Sequence, residues 1–545
     1  MKRTFKAIAV GFTSAALVAL SLVVVPTAAN AADPVCATVG GIKSCQGKTS
    51  DGAAYVLQAP LNFNGTAFLY SKGYRYPISI PGVWDVAASS VAEQVPGPNA
   101  TIKTQVATAL LSKGYGLFSS AYAKTGWNAD GALKTNVELI GIWKKEFPNT
   151  KKIVAWGESQ GGLITQAMGE NHANLIDAAV PLCMVGGSVE AALKMAGDAL
   201  WGMKVFFDPT IKGGGYSAGT AGVVEQLTDI GKVAAALTSL SGAVSTGAWP
   251  ATATLVPAAA KAAIPSRSAV TLVGQMAGLP NVSANIDGVS GPGAPASLPH
   301  AQFVLGAAPA IATLQNLQDA AILGILLIAD LEGINGGRVY DNTKADYEAQ
   351  LGDAKAIYNL ALSGNDAADS LLGVLKAAPR DTANPAALTK LRAMLSHKGV
   401  VNVPTIAMTA PFEGVTPGGH VQWLINANKA NLEKAKTAAV AAIRAGKPRP
   451  STANNLMVIW NFPPEKYTTF TSAGLPDTTK PAANGTKHCN YTTAQLTTMA
   501  ELGALAAVTG KLPSTAQAAV LMRRAGGLTI DRTFEAPLLK FYANE

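Results

Sequence analysis

Apolar and polar positions divide the chain into stretches of different rhythm. From Tyr55 to Val180, short apolar runs alternate with amphipathic ones. Ala67-Phe68-Leu69-Tyr70 predicts a buried strand ending in Ser71-Lys72-Gly73-Tyr74. Val91 to Ser112 has helical spacing, and Tyr115 to Ser120 predicts a second strand. Ala132 to Phe147 sets Leu133, Val137, Leu139, Ile140 and Trp143 on one side of a helix. Ile153 to Trp156 then predicts a strand, Gly162 to Met168 a helix, and Ala178 to Leu182 another strand. Such alternation builds a mostly parallel α/β sheet covered on both faces. Sheets of this kind take ligands at the carboxyl ends of their strands.

The rhythm breaks near Gly186. Ser188 to His397 is mainly helical in spacing, with Gly/Pro-rich connections such as Gly213-Gly214-Gly215 and Gly291 to Pro299. Its most apolar run, Ala321 to Ile328, lies between Asp319 and Asp330 and is too short to cross a membrane. It reads as a buried helix, with a substrate-lining or lipid-touching face as the sharper alternative. Strand rhythm returns at Val401 to Met408. A long helical pattern from His420 to Ala445, a strand from Leu456 to Trp460 and a final helix from Thr492 to Thr509, with a Thr able to cap it, complete the pattern.

The first residues stand apart. Lys2, Arg3 and Lys6 precede an uncharged apolar run from Ala7 to Val25, then Pro26 and the small-residue site Ala29-Asn30-Ala31. This predicts a cleaved signal peptide rather than an anchor, and hence a secreted, extracellular protein. The expected organisation is 1–31 signal peptide, 32–187 first part of the core, 188–400 inserted helical cap or lid, and 401–545 second part of the core. Without the three leader cations, 43 Lys+Arg against 34 Asp+Glu become 40 against 34. So mild an excess, with no basic run interleaved with aromatics, excludes nucleic acid as the expected partner.

Gly157-Glu158-Ser159-Gln160-Gly161 carries the chemistry. It joins a predicted strand to a predicted helix, the context a nucleophile elbow requires. The serine there adopts a strained backbone, and the helix N-terminus lends its dipole to the reacting oxygen. A serine hydroxyl needs a base, and the base needs an orienting partner. In this fold the chain order is nucleophile, acid, histidine. Of five histidines, His488 lies late, in a loop between the last predicted strand and helix, and is the expected base; His420 is the runner-up. His172 follows the elbow helix and should point away, His300 lies in the cap, and His397 reads as an ordinary helix-end cation. Glu413, in the turn after the returning strand, is the expected acid. The N–H groups of Gln160 and of Tyr74 (or of Gly73) are the expected oxyanion donors.

On these motifs the chain resembles the α/β-hydrolase superfamily, and more closely its secreted actinobacterial serine esterases. The resembling segments are Tyr70 to Tyr74, Gly114 to Trp127, Trp156 to Gly187, Glu413 to Pro417 and His488 to Thr492. The acid turn, commonly D-G-V-V-P in such proteins, here reads Glu413-Gly414-Val415-Thr416-Pro417. The oxyanion turn, commonly H-G, is Lys72-Gly73. The large cap has no counterpart, so no substrate carries over. The resemblance implies an α/β-hydrolase fold with a mostly parallel central sheet, and the break in rhythm adds a large inserted helical cap.

Four cysteines in an exported chain suggest two disulfides, with three pairings open. Cys36 and Cys45 could close a small hairpin around Gly40-Gly41, leaving Cys183 for Cys489. In this fold the strand end before Cys183 and the histidine loop share a sheet edge, which suits that bridge; two buried free thiols are the alternative.

The sequence therefore predicts a secreted carboxylic-ester hydrolase with a Ser159-His488-Glu413 triad, acting on a small-molecule, lipid or polymer ester. A secreted serine aminopeptidase or acyltransferase, and a non-catalytic binding protein, are the alternatives. The aminopeptidase reading needs a carboxylate cluster in the cap, where only scattered acids occur, at Glu190, Asp198, Asp208, Glu225 and Asp229. No cofactor, metal site or stable membrane anchor is expected, since no H-E-x-x-H, C-x-x-C or phosphate-loop motif is present.

Overall fold

The computed structural model describes residues 33–79, 92–292, 299–352 and 367–543. The expected leader lies outside them, as do Val91 and part of the Gly291–Pro299 connection. Ten strands form one sheet: β1 (Val35–Val39), β2 (Ile42–Lys48), β3 (Ala54–Pro60), β4 (Thr66–Ser71), β5 (Gly116–Ser120), β6 (Lys152–Glu158), β7 (Ala178–Leu182), β8 (Thr405–Thr409), β9 (Leu456–Asn461) and β10 (Leu528–Thr529). Their order is β1-β2-β3-β5-β4-β6-β7-β8-β9-β10. From β5 through β9 every neighbouring pair is parallel, while β1, β2, β3 and β10 pair antiparallel at the flanks. The chain places β5 on one side of β4 and then crosses back to place β6 on the other. This mostly parallel sheet, with its antiparallel leading strands and its order reversal at β4, is the α/β-hydrolase fold.

Alternate strand residues feed two cores, as the period of 2 demands. Phe68, Tyr70, Val154 and Trp156 pack with Val106 and Leu110 of helix α1 (Ala100–Ser112) on one face. Ala67, Leu69, Ile153 and Ala155 pack on the other with Leu139 and Trp143 of α2 (Ala129–Glu146) and Leu163 of α3 (Gln160–Asn171). α1 begins at Ala100 rather than near Val91. Pro96-Gly97-Pro98 cannot continue a helix, and the Asn99 side chain caps the new start by accepting from Ile102 N at 3.0 Å.

After β7 the described residues form helices and their connections, without a strand of the sheet, up to Arg392. The main helices are α4 (Val189–Phe206), α5 (Gly219–Ala243), α6 (Ser266–Ala277) and α7 (Ala308–Asn335). Where the chain leaves the sheet and where it returns, the two crossings bond each other. Gly187 N donates to His397 Nε2 at 2.9 Å, and His397 N to Gly187 O at 3.0 Å. Gly186 N donates to His420 Nδ1 at 3.0 Å, and the Tyr542 hydroxyl donates to Gly186 O at 2.9 Å. Both rings are buried and act as acceptors, so both are neutral. Burial brings His397 down to about 3 and His420 down to about 4. His397 is thus a buried acceptor lying beyond the last turn of a helix that ends at Arg392, and the expected helix-end cation is corrected.

The second part of the core holds α8 (Gly419–Arg444) and α9 (Thr493–Thr509). Thr492 and Gln495 form a reciprocal capping box on α9. α9 is not the final helix: Thr515–Met522 and Lys540–Ala543 follow it, and β10 comes between them. Two disulfides tie the core. Cys36–Cys45 joins directly paired residues of the β1–β2 hairpin, and Cys183–Cys489 spans 306 residues with its Cα atoms 5.6 Å apart.

Candidate active site

The site begins at the order reversal, where β4 and β6 end side by side. Ser159 follows β6 and precedes the first residue of α3, with φ 58° and ψ −122°. That is a strained conformation for a residue with a side chain. The flanking glycines are required by contact. A Cβ on Gly161 would lie 1.9 Å from Ser71 O, and one on Gly157 would lie 2.5 Å from Gly161 O. Beside the serine runs the turn after β4, so close that a Cβ on Gly73 would come within 3.2 Å of Ser159 Cβ. Gln160 opens α3, and Tyr74 lines the same cavity as Ser159.

Strain gathers here. Among the described residues four non-glycine positions have positive φ: Tyr122, Ser159, Cys183 and Cys489. Ser159 N donates to Leu182 O at 3.0 Å, and Leu182 precedes Cys183, which is bonded to Cys489, the neighbour of His488. One hydrogen bond and one disulfide therefore tie the serine's backbone to the histidine's loop. Tyr122 carries the Lys72 ammonium over its ring at 5.5 Å, and Lys72 precedes Gly73. Burial, assisted by Arg75, brings Lys72 down to about 8.

After β8, Glu413 turns inward and is fully buried. Its carboxylate lies 3.1 Å through either oxygen from His488 Nδ1. It also accepts from Val415 N at 2.9 Å and from the Thr416 backbone and hydroxyl. Burial alone would raise a carboxylate, but His488 and these donors outweigh it and hold Glu413 below its ordinary value. Burial likewise works against the His488 imidazolium, yet the Glu413 charge prevails and raises His488 above the ordinary histidine value. The Thr416 hydroxyl sits between Cys183 O, at 2.8 Å, and the carboxylate, 3.4 Å from His488 Nδ1. It also lines the cavity that holds Ser159.

That cavity, about 50 Å³, lies between the strand ends and the helical block. Tyr74, Trp127 and Val185 line it from the core, and Met195, Leu323 and Leu327 from α4 and α7. α7 grips both core walls: Asp330 accepts from Trp127 N at 2.6 Å, and the Tyr74 hydroxyl donates to Leu326 O at 3.3 Å. The five acids scattered through the early part of the block are bonded elsewhere. Asp198 accepts from Tyr347 at 2.9 Å and Lys194 at 2.6 Å, Asp229 from the backbone of Lys212 and Gly213, Glu225 from Lys212, and Glu190 from Arg392. Asp208 bonds Thr210.

The structure thus brings Glu413 and His488 into contact, sets Thr416 between that pair and the Ser159 cavity, and puts Gly73, Tyr74 and Gln160 beside the serine. His420, the runner-up base, is committed to Gly186 and to packing. Sequence reasoning missed Thr416, Tyr122, Asp330 and Glu158. Glu158 is a buried carboxyl beneath the elbow that accepts from Tyr70 at 2.9 Å and Gly97 N at 3.1 Å, with burial raising it above the usual range. Only Thr416 left a signal, as the hydroxyl replacing an aliphatic residue in the acid turn.

No protein-family model and no curated protein matches the chain. Among solved structures it is similar to a ligand-bound form of the rice cell wall degrading esterase LipA from Xanthomonas oryzae. That pair shares 11% identity over 77% of this chain and 82% of that one, with a TM-score of 0.28. It is also similar to the Pyrococcus furiosus esterase Pf2001, at 15% identity over 28% of this chain, with a TM-score of 0.21. The chain spans about half of Pf2001, 55% of its length. Superpositions this loose carry no weight for fold or chemistry, which rest here on strand order and side-chain geometry.

Proposed function

We propose that the protein is a serine hydrolase that cleaves carboxylic esters through an acyl-enzyme. One observation carries this reading. A serine held at positive φ on a strand-to-helix turn shares its cavity wall with Thr416, and Thr416 touches a half-buried imidazole paired with a buried carboxylate. In this mechanism Ser159 Oγ attacks the ester carbonyl while His488 Nε2 takes its proton. Glu413, bonded at Nδ1, fixes the tautomer that leaves Nε2 free to accept and stabilises the imidazolium that forms. The N–H groups of Gln160 and Tyr74 receive the oxyanion. His488 then gives its proton to the departing alcohol and activates the water that releases the acid.

The helical block is the cap in this account. It contributes an apolar wall with no charged side chain among the cavity's lining residues, which favours an uncharged, apolar acyl or alcohol group. The same wall disfavours the aminopeptidase reading, because a substrate ammonium would meet no carboxylate there. Ligand pockets commonly reach several hundred Å³, so a cavity of about 50 Å³ implies that α4 and α7 part as substrate enters. Export is part of the proposal, supported by the leader-like first residues and the two disulfides. No helix among the described residues is long and apolar enough to cross a membrane.

Assays of p-nitrophenyl esters beside peptide anilides, on wild type and Ser159→Ala, test the reading. Ester turnover lost in the variant is the expected result. Anilide turnover exceeding ester turnover would favour the peptidase, and no Ser159-dependent turnover of either would favour a binding protein.

A further inference from the structure

The positive charge of the chain is concentrated. Beyond the leader the excess is six, 40 Lys+Arg against 34 Asp+Glu. The segment 429–449 alone holds Lys429, Lys434, Lys436, Arg444, Lys447 and Arg449 against the single acid Glu433, an excess of five. All six cations are exposed. Among the described residues the ion pair these side chains form is Lys436 with Glu433, at 2.7 Å. The remainder of the chain beyond the leader is therefore close to neutral.

Geometry sets this charge apart from the core. α8 has 26 residues, a length of about 39 Å at 1.5 Å per residue. It returns the chain from the end of β8 to the start of β9, a parallel neighbour of six residues, which spans about 20 Å. The helix thus outruns the sheet by about half its length. Burial marks where it leaves: Gly419, His420, Val421, Gln422, Leu424 and Asn428 are buried, and beyond them only Ala439. The overhang continues into an exposed return, Ala445 to Asn454. It projects beyond the amino ends of the strands, opposite the end that holds Ser159.

The arm also carries apolar side chains in water. Val440 is 50% and Ile443 62% exposed. At 100° per residue both lie within about 60° of Lys429 and Lys436 around the helix. A cationic helix face with aliphatic side chains among its lysines matches an anionic bilayer surface, where headgroups take the charges and the interface takes the methyl groups. A soluble acidic polymer would use the charges alone.

We infer that the overhanging half of α8 and its return loop dock the protein peripherally on an anionic lipid bilayer, with the Ser159 cavity facing away from the membrane. This contact is electrostatic and reversible, and independent of hydrolysis.

Co-sedimentation of the full chain with phosphatidylcholine vesicles, with and without phosphatidylglycerol, tests it at low and high salt. Wild type should prefer the anionic vesicles and lose that preference in high salt. Because residues 1–31 are common to all chains compared, differences between variants read the arm. Lys436→Glu/Arg444→Glu/Lys447→Glu should weaken binding at least about a hundredfold, at roughly fivefold per charge removed. The milder Lys436→Gln/Arg444→Gln/Lys447→Gln chain serves if the first misfolds. Val440→Ser/Ile443→Ser should weaken vesicle binding while leaving binding to dextran sulfate unchanged, and turnover of a soluble ester should stay at wild-type level throughout. Absence of an anionic preference, or a preference unmoved by both charge variants, overturns the inference. So does vesicle binding untouched by Val440→Ser/Ile443→Ser, which would assign the arm to a soluble polyanion.

Discussion

The two walls of the Ser159 cavity are built by different means. The core wall sets Ser159 and Thr416 among Tyr74, Trp127, Val185 and Val415, and the structure behind it is strained and covalently tied: positive φ at Ser159, Cys183 and Cys489, a buried carboxylate with its imidazole, and a disulfide beside both. The wall from the helical block is apolar and made partly of small side chains, with Ala192, Ala196, Ala320 and Gly324 facing the cavity from α4 and α7. Strain and buried charge are costly and persist where the surroundings enforce them. Small apolar side chains cost little and can be exchanged. On the proposed function, this contrast assigns the chemistry to the core and the choice of substrate to the block.

The largest effect is expected at the acid. Glu413→Gln should lower kcat/KM by roughly 10⁴, as loss of the orienting carboxylate does in such triads. The pH profile separates this from simple misfolding. The base must be neutral to act, and Glu413 raises His488, so the acid limb of kcat/KM should lie above the ordinary histidine value. In the variant the raising charge is gone while burial still lowers the ring, so the limb should move to lower pH. A limb that stays in place would count against the pairing.

Covalent restraint comes next. Cys183→Ser/Cys489→Ser opens a loop of 306 residues and should cost about 2–5 kcal/mol in denaturant unfolding. Because the bridge adjoins His488, kcat should fall more than KM changes. An equal loss in a chain lacking Cys36–Cys45 would show the bridge to be merely structural.

The block's wall answers to a milder change. Met195→Ala widens the cavity beside Ser159, and should shift the ratio of kcat/KM for longer over shorter acyl esters by about tenfold. A uniform change across the series would remove the block from substrate choice.

The seam between the regions shows itself in stability rather than in turnover. His397 and His420 stay neutral in the folded protein down to about 3 and 4, whereas unfolded histidines protonate near 6.5. Their contribution is complete above that value and falls with pH below it, by about 1.4 kcal/mol per pH unit for each histidine. His397→Asn should reduce the slope of unfolding free energy against pH between about pH 6 and 4.

The sequence made these regions legible to different depths. The strand rhythm, the elbow glycines and the capping Thr492 are local signals, and local chemistry shapes the structure at each. Glu413 and His488, 75 residues apart, could be proposed only because the order of elements constrains where an acid and a base can stand. Tyr122 and Asp330 left no trace, because their roles arise from packing between segments distant in the chain: Asp330 meets Trp127 N across 203 residues. His397 was misread for the same reason. Nothing local distinguishes a helix-end cation from a buried acceptor whose donor, Gly187 N, comes from 210 residues earlier.

The proposed chemistry stands on Ser159 as the nucleophile and His488 as its base. Labelling with a serine-directed fluorophosphonate, followed by peptide mapping, tests it most directly. A single adduct is expected on the Ser159 peptide of the wild-type protein and none in His488→Ala, with both proteins folded by thermal melt. An adduct on another serine, or undiminished labelling of Ser159 in His488→Ala with loss in His420→Ala, would contradict it.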